Sequence, residues 1–143
     1  MKIDQGDILY GTSMIFIKEY MHLAERQIHK AGEYVCNAGD PARYFYTLLE
    51  GSVRLNIYES VKQVYVVKKP GEAFGWSSIV GRESYSASVE CMEDTTLLRI
   101  DREKLAVLLE KYPECGHIFY RKLAEILGNR LLECYNLISQ ISG

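Results

Sequence analysis

The sequence predicts a mainly β fold with flanking helices: an antiparallel sandwich, roll or barrel between a short N-terminal helix and a long C-terminal one. Three observations predict it. From residue 27 to residue 100, apolar and polar residues follow a period of two, in short runs rich in β-branched and aromatic side chains. Turn-forming residues punctuate that stretch at regular, close intervals. On either side the period lengthens to three and four, the spacing of one helix face.

In chain order, the helical pattern at residues 12–25 sets Ile15, Met21, Leu23 and Ala24 against Lys18, Glu19 and Glu25, followed by Arg26. Thr12 or Ser13 supplies the N-cap, because a hydroxyl there accepts from an otherwise unpaired first-turn N–H. In the β zone the turns fall at Ala31-Gly32, Ala38-Gly39-Asp40-Pro41, Glu50-Gly51, Glu59-Ser60, Pro70-Gly71, Gly81 and Glu93-Asp94. They separate strand-like runs at 43–49, 52–58, 63–68, 86–91 and 95–100. The segment Val53-Arg54-Leu55-Asn56-Ile57 alternates cleanly, apolar inward and polar outward. Asp101 caps a short helix that runs to about Lys111, and Pro113 opens a longer one. Along the latter, Leu123, Ile126, Leu127, Leu131, Cys134, Leu137, Ile138 and Ile141 form an apolar stripe. It is longer than one face of a small roll needs, so part is expected to pack on the roll and part on a partner helix. The expected seam of a homodimer is Leu123, Leu127, Leu131, Cys134 and Ile138.

Composition narrows the function classes. At 143 residues, with 48% hydrophobic and 25% charged residues, the chain is expected to fold as one domain, residues 1–143. That domain divides into an N-terminal helical region (1–26), the β zone (27–100) and C-terminal helices (101–143). A net charge of −2 offers no global attraction to nucleic acid or an anionic membrane. The longest apolar run near the start, Met14-Ile15-Phe16-Ile17, is far below the roughly 20 residues that span a bilayer. Cys36, Cys91, Cys115 and Cys134 form no regular framework, which suits a reducing compartment, and the expected location is the cytoplasm.

Specific motifs then resemble a known family. His29-Lys30-Ala31-Gly32-Glu33-Tyr34-Val35, followed by Asn37-Ala38-Gly39-Asp40-Pro41-Ala42, is similar to the opening glycine–acid segment of cyclic-nucleotide-binding domains. Phe45-Tyr46-Thr47-Leu48-Leu49-Glu50-Gly51-Ser52-Val53 resembles their next strand pair, and Pro70-Gly71-Glu72-Ala73-Phe74-Gly75 the start of their phosphate-binding cassette. These motifs stand in the family's order and spacing over nearly the whole chain. Within the superfamily the chain looks most like the sensor domain of Crp/Fnr-type bacterial transcription regulators. The resemblance implies an antiparallel β-roll or jelly roll, with the cassette at residues 74–87 and dimerisation through the last helix.

The resemblance also implies two side-chain anchors that are missing here. The family's nucleotide-binding members follow "FG" with a glutamate for the ribose, where this chain has Trp76. Their phosphate-pairing arginine falls at Tyr85, just before Ser86-Ala87-Ser88-Val89. Each charge-assisted bond lost from a buried phosphate site costs about 2–5 kcal/mol. Gly75, Ser77 and Ser78 are retained, and Ser77-Ser78-Ile79-Val80 is expected to form a short helix whose N–H groups attract an anion. The candidate ligand-binding residues are Gly75, Trp76, Ser77, Ser78, Arg82, Tyr85, Ser86 and Arg130, with Arg82 or Arg130 as a replacement cation. Trp76 either stacks on a planar ligand or fills the ribose space, and Tyr85 either donates to a ligand or packs.

The expected function is a non-enzymatic ligand-sensing regulatory domain that binds a small anionic or nucleotide-like effector in a non-standard mode. The alternative is a ligand-independent dimerisation or interaction module with a filled pocket, and a haem sensor is a further one. An enzyme is not expected. The three histidines, His22, His29 and His117, lack the clustered spacing of a cupin metal site, and no catalytic motif is present. Relatives carry a DNA-binding helix-turn-helix after the long helix. This chain stops at Ser142-Gly143, so specific DNA binding by it alone is not expected, and truncated sensor or stand-alone domain stay open.

Overall fold

The computed structural model describes residues 5–56 and 65–142. Ile57, the Glu59-Ser60 turn, the first two residues of the 63–68 run and the side chain of Ile141 lie outside what is described. Eight strands form two antiparallel four-stranded sheets. In chain order they are β1 (Glu25–His29), β2 (Tyr34–Cys36), β3 (Tyr44–Glu50), β4 (Val53–Asn56), β5 (Tyr65–Val67), β6 (Ala73–Phe74), β7 (Ser88–Cys91) and β8 (Thr95–Asp101). The first sheet has the order β1-β8-β3-β6 and the second β2-β7-β4-β5. Helix α1 (Met14–Leu23) precedes the strands, and α2 (Arg102–Lys111) and α3 (Pro113–Ser142) follow them. This is the predicted roll with flanking helices.

The helix boundaries follow from their caps. The Ser13 hydroxyl accepts from the Phe16 N–H at 3.2 Å, and the Asp101 carboxylate accepts from the Glu103 and Lys104 N–H groups at 3.0 and 3.2 Å. Helix α1 ends earlier than its sequence pattern predicts. Ala24 is extended (φ −74°, ψ 145°), and Glu25 and Arg26 belong to β1, in register with Arg99 and Leu98 of β8. Pairing with a buried strand outweighs helix propensity there. The buried face of α1 is Phe16, Ile17 and Tyr20, whereas Ile15, expected on it, is 62% exposed. Strands β1, β2 and β6 escape the sequence pattern because they are short or carry charged residues, and the 86–91 run begins only at Ser88.

Alternation along the first sheet separates two cores. Tyr46 and Leu48 of β3, Phe74 of β6 and Leu97 of β8 point between the sheets and meet Val53, Val67, Tyr85, Val89 and Cys91. Phe45, Ala73 and Ile100, on the opposite face of the same strands, pack under the helices with Ile8, Phe16, Tyr20, Leu105, Leu108 and Phe119. Full burial of each such side chain contributes about 1.5–3 kcal/mol. The Phe45 and Phe119 rings meet edge-on at 5.6 Å, anchoring the first half of α3 to the sheet.

The stripe on α3 is buried along its first part and mostly exposed beyond Leu131, and one expectation is corrected. Leu123, expected at the partner seam, is 4% exposed and belongs to the chain's own helical core, because its turn lies directly over the sheet. Ile126 and Leu127 pack half-buried at the edge of that core. Beyond them Leu131, Leu132, Tyr135, Leu137 and Ile138 are exposed, and Cys134 is half-buried.

Candidate functional site

The cassette is built on one close approach. Gly75 follows β6 with φ +78°, in the left-handed region where a Cβ is disfavoured. A Cβ there would also stand 3.0 Å from the Tyr46 ring and 3.2 Å from the Tyr44 carbonyl oxygen. The resemblance implies that a ligand phosphate approaches this glycine. In the structure the neighbour pressing on it is the Tyr46 ring.

After Gly75 comes a single 3-10 turn, Trp76–Ser78, in place of the short helix expected over residues 77–80. Within it the Ser78 and Ile79 N–H groups donate to the carbonyls of Gly75 and Trp76. The Ser78 hydroxyl donates to the Gly75 carbonyl at 2.7 Å, and both serines are buried. Trp76 packs half-buried against the helical core, on the other side of the sheet from the roll interior. The indole is therefore not what occupies the space between the sheets.

Tyr46, Phe74 and Tyr85 are buried together in the roll beside Gly75. Tyr46 stacks on Phe74 at 5.1 Å with an 8° interplanar angle, and Tyr85 lies 6.4 Å from Tyr46. The Tyr85 hydroxyl donates to the Tyr44 carbonyl at 2.6 Å and accepts from the Tyr44 N–H at 2.9 Å, which ties it to both polar groups of one residue of β3. Burial, followed by the neighbouring Tyr85 and Cys36, holds the Tyr46 phenol well above its ordinary range, so it stays neutral. Burial and then the Asp40 charge push the Cys36 thiol up to about 12.

Main-chain bonds tie residues 39–42 to the end of the cassette. Gly39 N–H donates to Tyr85 O, Tyr85 N–H to Asp40 O and Ala42 N–H to Glu83 O, each at 2.9 Å. Arg102, at the start of α2, donates from Nη1 to the carbonyls of Ala42 and Arg82, both at 3.1 Å. The side chains of Arg82 and Ser86 are exposed at the rim. Arg130 stands apart from both, reaching from α3 to the Ala73 carbonyl and the Tyr65 ring. The eight predicted site residues therefore divide among the turn, the rim, the roll interior and the β5–β6 edge.

Sequence reasoning missed Tyr44, Tyr46, Tyr65, Glu72 and Arg102. Tyr46 and Glu72 stand inside quoted motifs, yet nothing in their spacing shows that one fills the roll and the other meets α3. A groove of about 800 Å³ also opens between α1 and α2, with Lys18, His22, Leu23, Val107 and Leu108 among its walls. Among the described residues, no group of three His, Cys, Asp or Glu is placed to hold a metal. No described helix is long and apolar enough to cross a membrane.

Two four-stranded sheets, a glycine-cornered cassette and a long last helix define a jelly-roll domain. The chain belongs to the cyclic nucleotide-binding domain family, whose model matches residues 26–112. The cyclic AMP receptor protein of Thermus thermophilus is 31% identical over 111 residues, covering 76% of this chain and 50% of that protein. Mouse cyclic nucleotide-gated channel alpha-4 is 28% identical over 131 residues, covering 87% of this chain and 23% of the channel. The crystal structure of the Thermus thermophilus catabolite activator protein superposes with a TM-score of 0.75 at 25% identity, over 94% of this chain and 62% of that one. The chain thus spans half of one of these curated relatives and less than a quarter of the other.

Proposed function

We propose that this chain is a non-enzymatic, cytoplasmic regulatory domain of the Crp/Fnr type, acting as one unit over residues 1–143, whose roll is closed to a cyclic nucleotide in the ordinary pose. The single observation behind this is the plug behind Gly75: Tyr46 packed on the turn and Tyr85 bonded to both ends of Tyr44. With Trp76 and Tyr85 in place of the family's two anchors, no buried side-chain cation or carboxylate of the cassette faces the roll. Regulation then runs through association, a homodimer formed by the outer part of α3, with Leu131 and Ile138 exposed and Leu127 and Cys134 half-buried beside them. The chain works as a ligand-independent interaction module joined to whatever it controls.

A second reading keeps effector sensing, and one observation favours it. Arg82 and Ser86 lie exposed at the rim, and the Arg82 guanidinium makes no ion pair among the described residues. A small anionic or nucleotide-like effector would bind there in a non-standard mode, outside the plug. Calorimetric titration with cyclic AMP and cyclic GMP separates the readings. No heat of binding is expected at micromolar concentrations. Micromolar binding that disappears in Arg82→Ala would overturn the closed-roll proposal in favour of a rebuilt phosphate site.

A further inference from the structure

Arg130 has the most unusual surroundings of any charged side chain near the roll. It sits in mid-helix on α3, 12% exposed, and its Nη2 donates to the Ala73 carbonyl of β6. Its guanidinium lies 4.6 Å over the Tyr65 ring of β5 and 4.0 Å from the Glu72 carboxylate. Glu72 is held in turn, accepting from the Tyr65 hydroxyl at 3.2 Å and from the Lys69 N–H at 2.9 Å. Among the described residues, the buried Arg130 Nε has no partner. A cation this enclosed, held by one carbonyl, the ring and hydroxyl of Tyr65 and a carboxylate 4.0 Å away, is well located but keeps one donor unpaired among the described residues.

Position along α3 gives this cluster its meaning. Leu123 is buried in the helical core, Ile126 and Leu127 are at its margin, and from Leu131 the side chains are mostly exposed. Arg130 falls where α3 leaves the body. Its carbonyl partner, Ala73, is two residues before Gly75 and the cassette turn.

We propose that Arg130 is a positioning residue, a clamp that fixes the direction of the outer part of α3 by holding it to the β5–β6 turn. Displacement of Tyr65, Glu72 or Ala73 then re-aims Leu131 to Ile138, so the turn and the association surface change together. Arg130 binds nothing external in this arrangement. The use of the clamp rests on the association reading above, but the clamp itself lies within one chain.

Hydrogen exchange on the full chain tests it, in wild type and in Arg130→Met, which keeps an apolar stem and removes the donors. Both are measured also in a Leu131→Asp background, so that loss of a dimer is not mistaken for loss of the clamp. Amides of residues 65–74 and 126–134 are expected to exchange about tenfold faster in Arg130→Met, the scale of one charge-assisted hydrogen bond. Those of β4 and β7 should not change. Arg130→Lys, which can still donate to Ala73, should recover part of the protection in both segments. Unchanged exchange at 65–74 in Arg130→Met, or acceleration spread evenly over the chain, overturns the proposal. If sedimentation finds no dimer while the two segments still respond together, the clamp stands and the association reading falls.

Discussion

Tyr85→Phe removes one oxygen from the plug and leaves its ring in place. That oxygen bonds both the N–H and the carbonyl of Tyr44, at 2.9 and 2.6 Å, and Tyr85 is only 6% exposed. Without it, two polar groups of a half-buried residue lose a partner, and a buried unsatisfied group costs about 1–3 kcal/mol. Because Tyr44 is only half-buried, water recovers some of this, and the expected loss is about 2–3 kcal/mol. For a chain of this size that lowers Tm by roughly 6–9 °C, at about 3 °C per kcal/mol. Differential scanning calorimetry at one fixed protein concentration measures it, since association would move Tm with concentration. Tyr34→Phe, at an exposed tyrosine of β2, is the control and should stay within about 1 °C of wild type. A Tyr85→Phe shift below about 2 °C would refute the reasoning, because the hydroxyl would then not be holding the cassette to β3.

Four further substitutions read other parts of the structure. Gly75→Ala forces a Cβ into the left-handed region and against Tyr46, and should cost at least about 1–2 kcal/mol by urea midpoint; an unchanged midpoint would mean that the turn does not press on the plug. Gly128→Ala meets nothing within 4 Å among the described residues and should stabilise α3 by roughly 1 kcal/mol, so a lower Tm would point to a second chain crossing there. Leu131→Asp should shift sedimentation toward the monomer, whereas wild-type behaviour would mean that the outer part of α3 is not the seam. Burial raises the Asp101 carboxyl, but bonds from the Lys104 N–H, Arg43 and the Glu103 N–H more than offset it, leaving its pKa below the ordinary 3.8. Its contribution is therefore present above that value and lost as pH falls through the lowered one. Asp101→Ala should cost about 1 kcal/mol at pH 7 and flatten stability measured by urea unfolding toward pH 3, whereas an equally steep acid limb would assign that loss to other carboxylates.

Features carried by local chemistry were legible from the residues alone. Asp101 and Ser13 read as caps because a short oxygen-bearing side chain at a helix start has one obvious donor to meet. Gly51 reads as a corner because only glycine sits easily at φ +98°, and a Cβ there would stand 2.6 Å from the Asp94 carbonyl oxygen. Period alone separated the β zone from the helices, and the spacing of the glycine turns carried the family resemblance. The end of α1 was misread because Glu25 and Arg26 continue its pattern, while only pairing with β8 makes them strand.

Tertiary structure decided the site. Tyr85 and Tyr44 are 41 positions apart, and Arg130 and Ala73 are 57 apart, so no local pattern records that each pair shares hydrogen bonds. That Trp76 and Tyr85 stand where the resemblance implies two charged anchors is read from the letters alone. What occupies the hollow depends on which face of the sheet each residue takes, and one step along the strand exchanges the faces: Phe74 enters the roll, while Ala73 lies under the helices. The same geometry sends Trp76 to the helical side and brings Tyr46 into the space behind Gly75. Backbone conformation and periodicity belong to neighbours in the chain, whereas the filling of a cavity belongs to whichever side chains the completed sheets turn inward.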